Sequence, residues 1–358
     1  MWYQAYTQLI DFISKHEEIK ICENTVRIPQ EHRAQFYELF DNVRKTFMTE
    51  RFSGMLGEAK LLSENYVKLE DEVVNLLKTK KVSMSVFLRE FIQNPEKTLM
   101  KELFDPLFDL LKKRLDVEAF EEEASKRIEV SFKKFYSSEY TFWVELSLLI
   151  LLKPDKIFSV PIPEPKITKR VYRFVEQVSS PEETNQIQLE HDLYPTFIVP
   201  DFIFHSAKIG RYVAIRSEYT SAAWIASNPS QRREWIPLTK NLKPDLLVYV
   251  DENLDDIALI ADAEKVCRPD LIVECIAKKE WREEVLERAK LDQDALKPKL
   301  GTFVVLREPV GRKVGKGIRS LTVRLHQSKL EPIINSLATH LGLSVEKRQS
   351  NDFPSNFR

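Results

Sequence analysis

The sequence predicts a multidomain chain of the α and α/β classes: a helical N-terminal domain, a β-rich middle domain and a C-terminal α/β domain with a mixed or parallel sheet. Three observations carry this. Apolar residues recur at helical spacing through the first 153 positions. The period moves toward two after Lys153-Pro154-Asp155. From Lys243 onward, short β-like runs alternate with amphipathic helical stretches. The expected boundaries are 1–153, 154–240 and 241–346, with a polar tail over 347–358.

The helical elements follow in order. Tyr6, Leu9, Ile10 and Ile13 share one face. Pro29 suits the first turn of the next helix, because its missing N–H would be unpaired there anyway. That helix carries Phe36, Phe40, Val43 and Phe47 on one side. The pattern resumes over 61–80, 103–113 and 117–136. In the last of these, Glu121, Glu122 and Glu123 come early and Lys133 and Lys134 late, as the helix dipole favours. The apolar run 142–152 contains Glu145 and reads as a buried helix. It is far shorter than the ~20 residues that span a bilayer.

Strands are expected at 157–160, 171–175, 196–199, 202–204 and 212–215, then at 246–250, 271–277, 302–306 and 321–325. Helices are expected over 280–296 and 330–341, with Gly342 at C′. Residues 251–267 read two ways. As a helix capped by Asn253 they make the C-terminal third a Rossmann-like parallel sheet. As a strand over 257–263 they form a hairpin with 271–277.

Composition excludes several classes. Eight glycines in 358 residues and 43% hydrophobic content do not describe a collagen-like or disordered chain. With 54 Lys+Arg against 55 Asp+Glu, any basic surface must be local. Cys22, Cys267 and Cys275 form no CxxC pair, and a basic leader before an apolar run is missing, so a reducing cytoplasm is the expected compartment. HExxH, GxSxG and GxGxxG do not occur, which leaves zincin, serine-hydrolase and dinucleotide-binding readings without support.

Three segments carry acids near one another: Lys243-Pro244-Asp245-Leu246-Leu247, Ile260-Ala261-Asp262-Ala263-Glu264 and Leu271-Ile272-Val273-Glu274-Cys275. Together, over about residues 241–308, they resemble the PD-(D/E)xK nuclease superfamily. The resemblance implies a strand meander, a helix and a further strand, with acids on adjacent strands holding Mg²⁺. It implies Asp245, Asp262, Glu274 and Lys278 as catalytic residues, with Asp262 and Glu274 as metal ligands facing each other across the hairpin. Where the family carries acid-x-Lys, this chain has Glu274-Cys275-Ile276, and Lys278 is the nearest lysine. Hard carboxylate oxygens suit Mg²⁺, which activates water and offsets charge on a phosphodiester.

A second feature is basic. Residues 297–324 hold eight Lys/Arg and one acid, Glu308, and 311–317 hold three of the eight glycines. Arg312, Lys313, Lys316 and Arg319 are the expected nucleic-acid contacts, on a loop able to follow a phosphate backbone. Trp224, Arg232, Arg233 and Trp235 mix aromatic and basic groups in a way that suits base stacking. The expected function is therefore nucleic-acid-associated, a metal-dependent or degenerate nuclease acting on DNA or RNA. The alternative is a non-catalytic scaffold whose helical domain binds a protein partner. Neither a membrane nor a dinucleotide is an expected partner.

Overall fold

The computed structural model describes residues 1–22, 25–161, 166–168, 171–173, 180–189, 199–217, 242–260, 267–309 and 317–343. The chain separates into two compact units, Met1–Trp143 with Gln188–Glu190, and Val144–Ile187 with His191–Arg358.

The first unit is built from α1 (Trp2–Lys15), α2 (Gln30–Leu77), α3 (Val86–Gln93), α4 (Pro95–Met100), α5 (Phe104–Leu111) and most of α6 (Val117–Leu151). A short antiparallel hairpin, Lys20–Cys22 with Thr25–Arg27, joins α1 to α2. The apolar face read from the sequence is the buried one: Phe36, Phe40, Val43 and Phe47 are all fully enclosed. Two expected helices merge into α2 across a break at Phe52, where φ is −127° and ψ is 18°. The runs 117–136 and 142–152 likewise join as α6. Trp2 anchors α1. Its ring lies 5.5 Å from Phe47 and 5.3 Å from Phe120, and its Nε1 donates to Glu121 at 3.0 Å. Asn94 starts α4 by accepting from the Lys97 N–H at 2.9 Å, ahead of a proline in the first turn.

The second unit contains an eight-stranded sheet. Its strands are β1 (Pro154–Ser159), β2 (Glu182–Glu183), β3 (Phe202–Ser206), β4 (Arg211–Ser217), β5 (Leu246–Asp251), β6 (Leu271–Ile276), β7 (Thr302–Leu306) and β8 (Ile318–Thr322). The order in space is β8-β7-β6-β5-β4-β3-β1-β2. Neighbours are antiparallel except β6 with β7 and β7 with β8. Among the described residues the unit's α-helices are α7 (Leu254–Ala258), α8 (Arg282–Leu296) and α9 (Glu331–His340). A parallel β6/β7 pair needs a crossover, and α8 supplies it.

This sheet bears on three expectations. The 240/241 boundary does not separate two domains, because β4 and β5 are paired from Tyr212↔Asp251 to Ser217↔Leu246. Split there, each half would leave a row of backbone groups unpaired. Of the two sheet types expected, mixed or parallel, the mixed one is present, because β5 opposes β6 while β6 and β7 run parallel. The hairpin of 257–263 with 271–277 does not form. Ile257 and Ala258 are helical, and both edges of β6 are taken, by β5 and β7. The α7 stripe packs Ile257 and Ala258 against Leu242, Leu247, Tyr249 and Ile272. Residues 261–266, 310–316 and 218–241 lie outside the described residues, and with them Asp262, Arg312, Lys313, Lys316, Trp224, Arg232, Arg233 and Trp235.

The last strand starts earlier than the sequence suggested. It occupies Ile318–Thr322, while Arg324 and Leu325 turn away with φ of 47° and 58°. Gly342 takes its expected place after α9, with φ of 70°. Among the described residues, no helix is long and apolar enough to cross a membrane.

Glu139 is a fully buried acid of the helical core. It is 0% exposed on α6, beside buried Tyr136 and Tyr140. Burial raises its pKa from 4.5 to about 8, against a smaller opposing influence of Ser63. The native state therefore keeps this proton up to about pH 8, while the unfolded chain releases it near pH 4.5. Between those values the native state binds more protons, so its stability falls as pH rises. Glu139→Gln is expected to flatten that slope. Urea unfolding at pH 5 and pH 8 should show the variant gaining on the wild type by a few kcal/mol at the higher pH, at about 1.4 kcal/mol per pKa unit.

Candidate functional site

Four Pro-Asp pairs occur in the sheet unit, and each stands at the start of a strand. Asp201, ahead of β3, accepts from the Ser217 N–H at 2.6 Å and from Arg216 Nη1 at 2.6 Å. Asp270, ahead of β6, accepts from the Val250 N–H at 2.8 Å. Asp245, ahead of β5, accepts from the Cys275 N–H at 2.7 Å. Asp155, in β1, meets His205 Nδ1 at 2.9 Å. Three of these aspartates thus satisfy an N–H of the adjacent strand where the regular ladder runs out. Proline fits there because it need not donate.

Asp245 differs from the other three in what else it faces. The register Leu246↔Val273 continues to place Asp245 beside Glu274 on β6. Glu274 is 0% exposed. From α8, Arg288 reaches both: its Nη2 lies 2.7 Å from Asp245 Oδ1 and 2.7 Å from Glu274 Oε2. Arg288 Nε adds a longer contact of 3.3 Å to Glu274 Oε2. Asp292, one turn further along α8, is also fully buried. Glu274 Oε1 and both Asp292 oxygens make no well-formed hydrogen bond, although the Lys243 N–H lies near enough to Asp292 to steady its charge. The Glu274 and Asp292 carboxyls face each other more loosely, near enough that a proton on Glu274 steadies Asp292.

Three carboxyl groups therefore surround one guanidinium. Burial raises the Asp245 pKa, with Arg288 and the Cys275 N–H opposing it. Burial and then the Asp245 charge push Glu274 well above the usual carboxylate range. Burial drives Asp292 to about 7, against the pull of Arg288. Burial works against the Arg288 charge, but Asp245 and Glu274 outweigh it and raise its pKa. The centre is not sealed, since Arg288 is 25% and Asp245 13% exposed at the side chain.

The residues expected from the sequence fall into three groups. Asp245 and Glu274 come together. Asp262 lies outside the described residues, and its expected place across from Glu274 is held by Asp245. Lys278 lies beyond the end of β6 and pairs with Glu280 at 3.0 Å. Arg319 is on β8 and not in a free loop. Its guanidinium lies 3.9 Å from the centre of the Phe303 ring and donates to Leu300 O at 2.8 Å and Ser336 Oγ at 2.9 Å. Sequence reasoning missed Arg288 and Asp292. A signal was present: Val285, Ala289, Asp292 and Leu296 form the buried stripe of α8, and an acid interrupts it.

No family model, curated protein or solved structure matches the chain. The chemistry of the centre must be judged from its own atoms. Its donor set is hard oxygen, the type that holds Mg²⁺ or Mn²⁺. The buried, unpartnered oxygens of Glu274 and Asp292 are the sort of atoms such an ion would satisfy. As they stand, no three His, Cys, Asp or Glu side chains among the described residues gather closely enough to hold one. Arg288 lies between Asp245 and Glu274 instead.

Breaking a buried ion pair from one side typically costs about 3–5 kcal/mol, because the remaining charge is stranded. Arg288→Met is expected to lose stability on that scale at pH 8. The quadruple variant Asp245→Asn, Glu274→Gln, Asp292→Asn, Arg288→Met, which removes every charge of the cluster, should recover most of it. Chemical denaturation of the two proteins at one pH measures the difference.

Proposed function

We propose that the sheet unit is a divalent-cation-dependent nuclease, with Asp245 and Glu274 as its metal-holding acids. The observation that carries this reading is their placement: two acids in register on neighbouring strands, sharing one cation, Arg288, at 2.7 Å from each. Two features support it. Strands β4, β5 and β6 form a meander, followed by α8 and β7, which is the order that the PD-(D/E)xK resemblance implies. The centre also carries more buried acid than its cation neutralises, and strongly perturbed groups of this kind concentrate at functional sites.

When bound, Mg²⁺ or Mn²⁺ would activate water and offset charge on a phosphodiester. The chain's own residues do the rest. The Cys275 N–H fixes one oxygen of Asp245 and leaves the other turned to the centre. Ile276 occupies the position where the related pattern has lysine. Arg288 is then the positive side chain at the acids, and a guanidinium is well shaped for two oxygens of a phosphate. DNA or RNA is the substrate class, and Arg312, Lys313 and Lys316 remain its proposed loop contacts.

Incubation of plasmid and single-stranded DNA and RNA with Mg²⁺ or Mn²⁺ tests the proposal. Cleavage should appear with the ion and vanish with a chelator. It should fall by at least about 100-fold in Asp245→Ala and in Glu274→Ala, the scale of losing a group that works on the transition state. Asp155→Ala, which alters an exposed Pro-Asp pair away from the acids, should cleave as the wild type does. Intact nucleic acid of every kind would exclude the nuclease reading.

A further inference from the structure

Arg288 has an unusual position for a structural ion-pair partner. A single nitrogen, Nη2, lies at 2.7 Å from an oxygen of each of two acids on different strands. That is the bridging place between two carboxylates, where a small cation would be expected to sit. The guanidinium is a quarter exposed at the side chain, so it has a way out to solvent that Glu274, at 0%, does not have. Asp292 stands one turn along α8 from Arg288 with no well-formed hydrogen bond to either oxygen, the Lys243 N–H lying nearby, and Glu274 Oε1 is unpartnered too. Arg288 thus satisfies only part of the oxygen set and occupies its middle.

We infer that Arg288 is a resident counter-ion that a divalent cation displaces, with Asp292 joining Asp245 and Glu274 as the third carboxylate once the guanidinium has left. This rests on the reading that the acids hold a cation. In the cation-free protein Arg288 keeps two buried acids compatible with folding. In the loaded protein it is released at the mouth of the site, still tethered to α8, with its five N–H donors open to a phosphate. Cation binding and exposure of the positive charge are then one event.

The test reads metal binding, apart from cleavage. Mn²⁺ is titrated calorimetrically into the full chain as wild type, Arg288→Gln and Asp292→Asn. Removing the competing guanidinium should tighten Mn²⁺ binding by at least about tenfold, equal to about 1.4 kcal/mol. Asp292→Asn should weaken it by a similar factor. Because Arg288→Gln strands two acids and can impair folding, the wild type is also followed directly. The arginine Nε–Hε resonance of Arg288, assigned by its loss in Arg288→Lys, should move as Mg²⁺ is added and return with chelator. Saturable Mn²⁺ binding with the Arg288 resonance unmoved overturns the displacement and leaves the metal-centre reading intact. Unchanged or weaker Mn²⁺ binding by folded Arg288→Gln does the same. No Mn²⁺ binding by the folded wild type or by Arg288→Gln overturns both.

Discussion

The register between β5 and β6 governs the rest of the sheet unit. Leu246 opposite Val273 puts Asp245 beside Glu274. A slip of one residue would turn every side chain of β5 to the other face. Leu247 and Tyr249 would then leave the core they share with Ile257 and Ile272. Asp270 reinforces the alignment by taking the Val250 N–H, and Asp245 by taking the Cys275 N–H. The apolar packing that fixes the fold therefore fixes the pairing of the acids. Their closeness is a consequence of the core, and the core must carry its cost.

That cost is electrostatic. Two acids side by side in a desolvated place repel, and burial penalises each separately. Arg288 offsets part of this and Asp292 adds to it. A sheet needing only stability would do as well with apolar groups of the same volume. Asp201 shows how a purely structural buried aspartate is handled in this unit: its carboxylate accepts from Arg216 Nη1, the Ser217 N–H and the Ser217 hydroxyl. Glu274 and Asp292 are left with open oxygens. The contrast between these two solutions, within one sheet, separates an acid that serves the fold from acids that the fold tolerates.

Much of this was legible in the sequence, and the reasons for the rest are specific. Short continuous apolar runs located β5, β6 and β7, as expected for strands buried on both faces. Helical periodicity found α2 and α6 but divided each, because the break at Phe52 and the apolar stretch after Tyr136 look like ends when packing is unknown. Asp245 and Glu274 were visible as acids beside strands. Their mutual pairing was not, because local pattern does not say which strand lies next to β6. Asp262 is closer to Glu274 in sequence, and the hairpin that would have joined them is the shortest connection. Three residues beyond the end of β5, α7 turns the chain helical, and Ile257 packs into the core as part of that helix.

Arg288 and Asp292 were harder to see, because they mimic an ordinary surface. On a charge-rich helix an i, i+4 pair of opposite sign normally reads as solvated. What betrays it is phase. Val285, Ala289 and Leu296 define the inward stripe, and Asp292 lies in it. Arg288, one position before Ala289, borders that stripe and reaches inward along it to Asp245 and Glu274. Helix geometry thus delivers one positive and one negative group to a place where β5 and β6 deliver two negative ones. Ile276 continues the apolar interior of β6, and the positive charge at the acids comes from the helix. If a divalent cation displaces Arg288 as proposed, a side chain anchored in α8 leaves the acids without disturbing the sheet, whereas one anchored inside β6 would not.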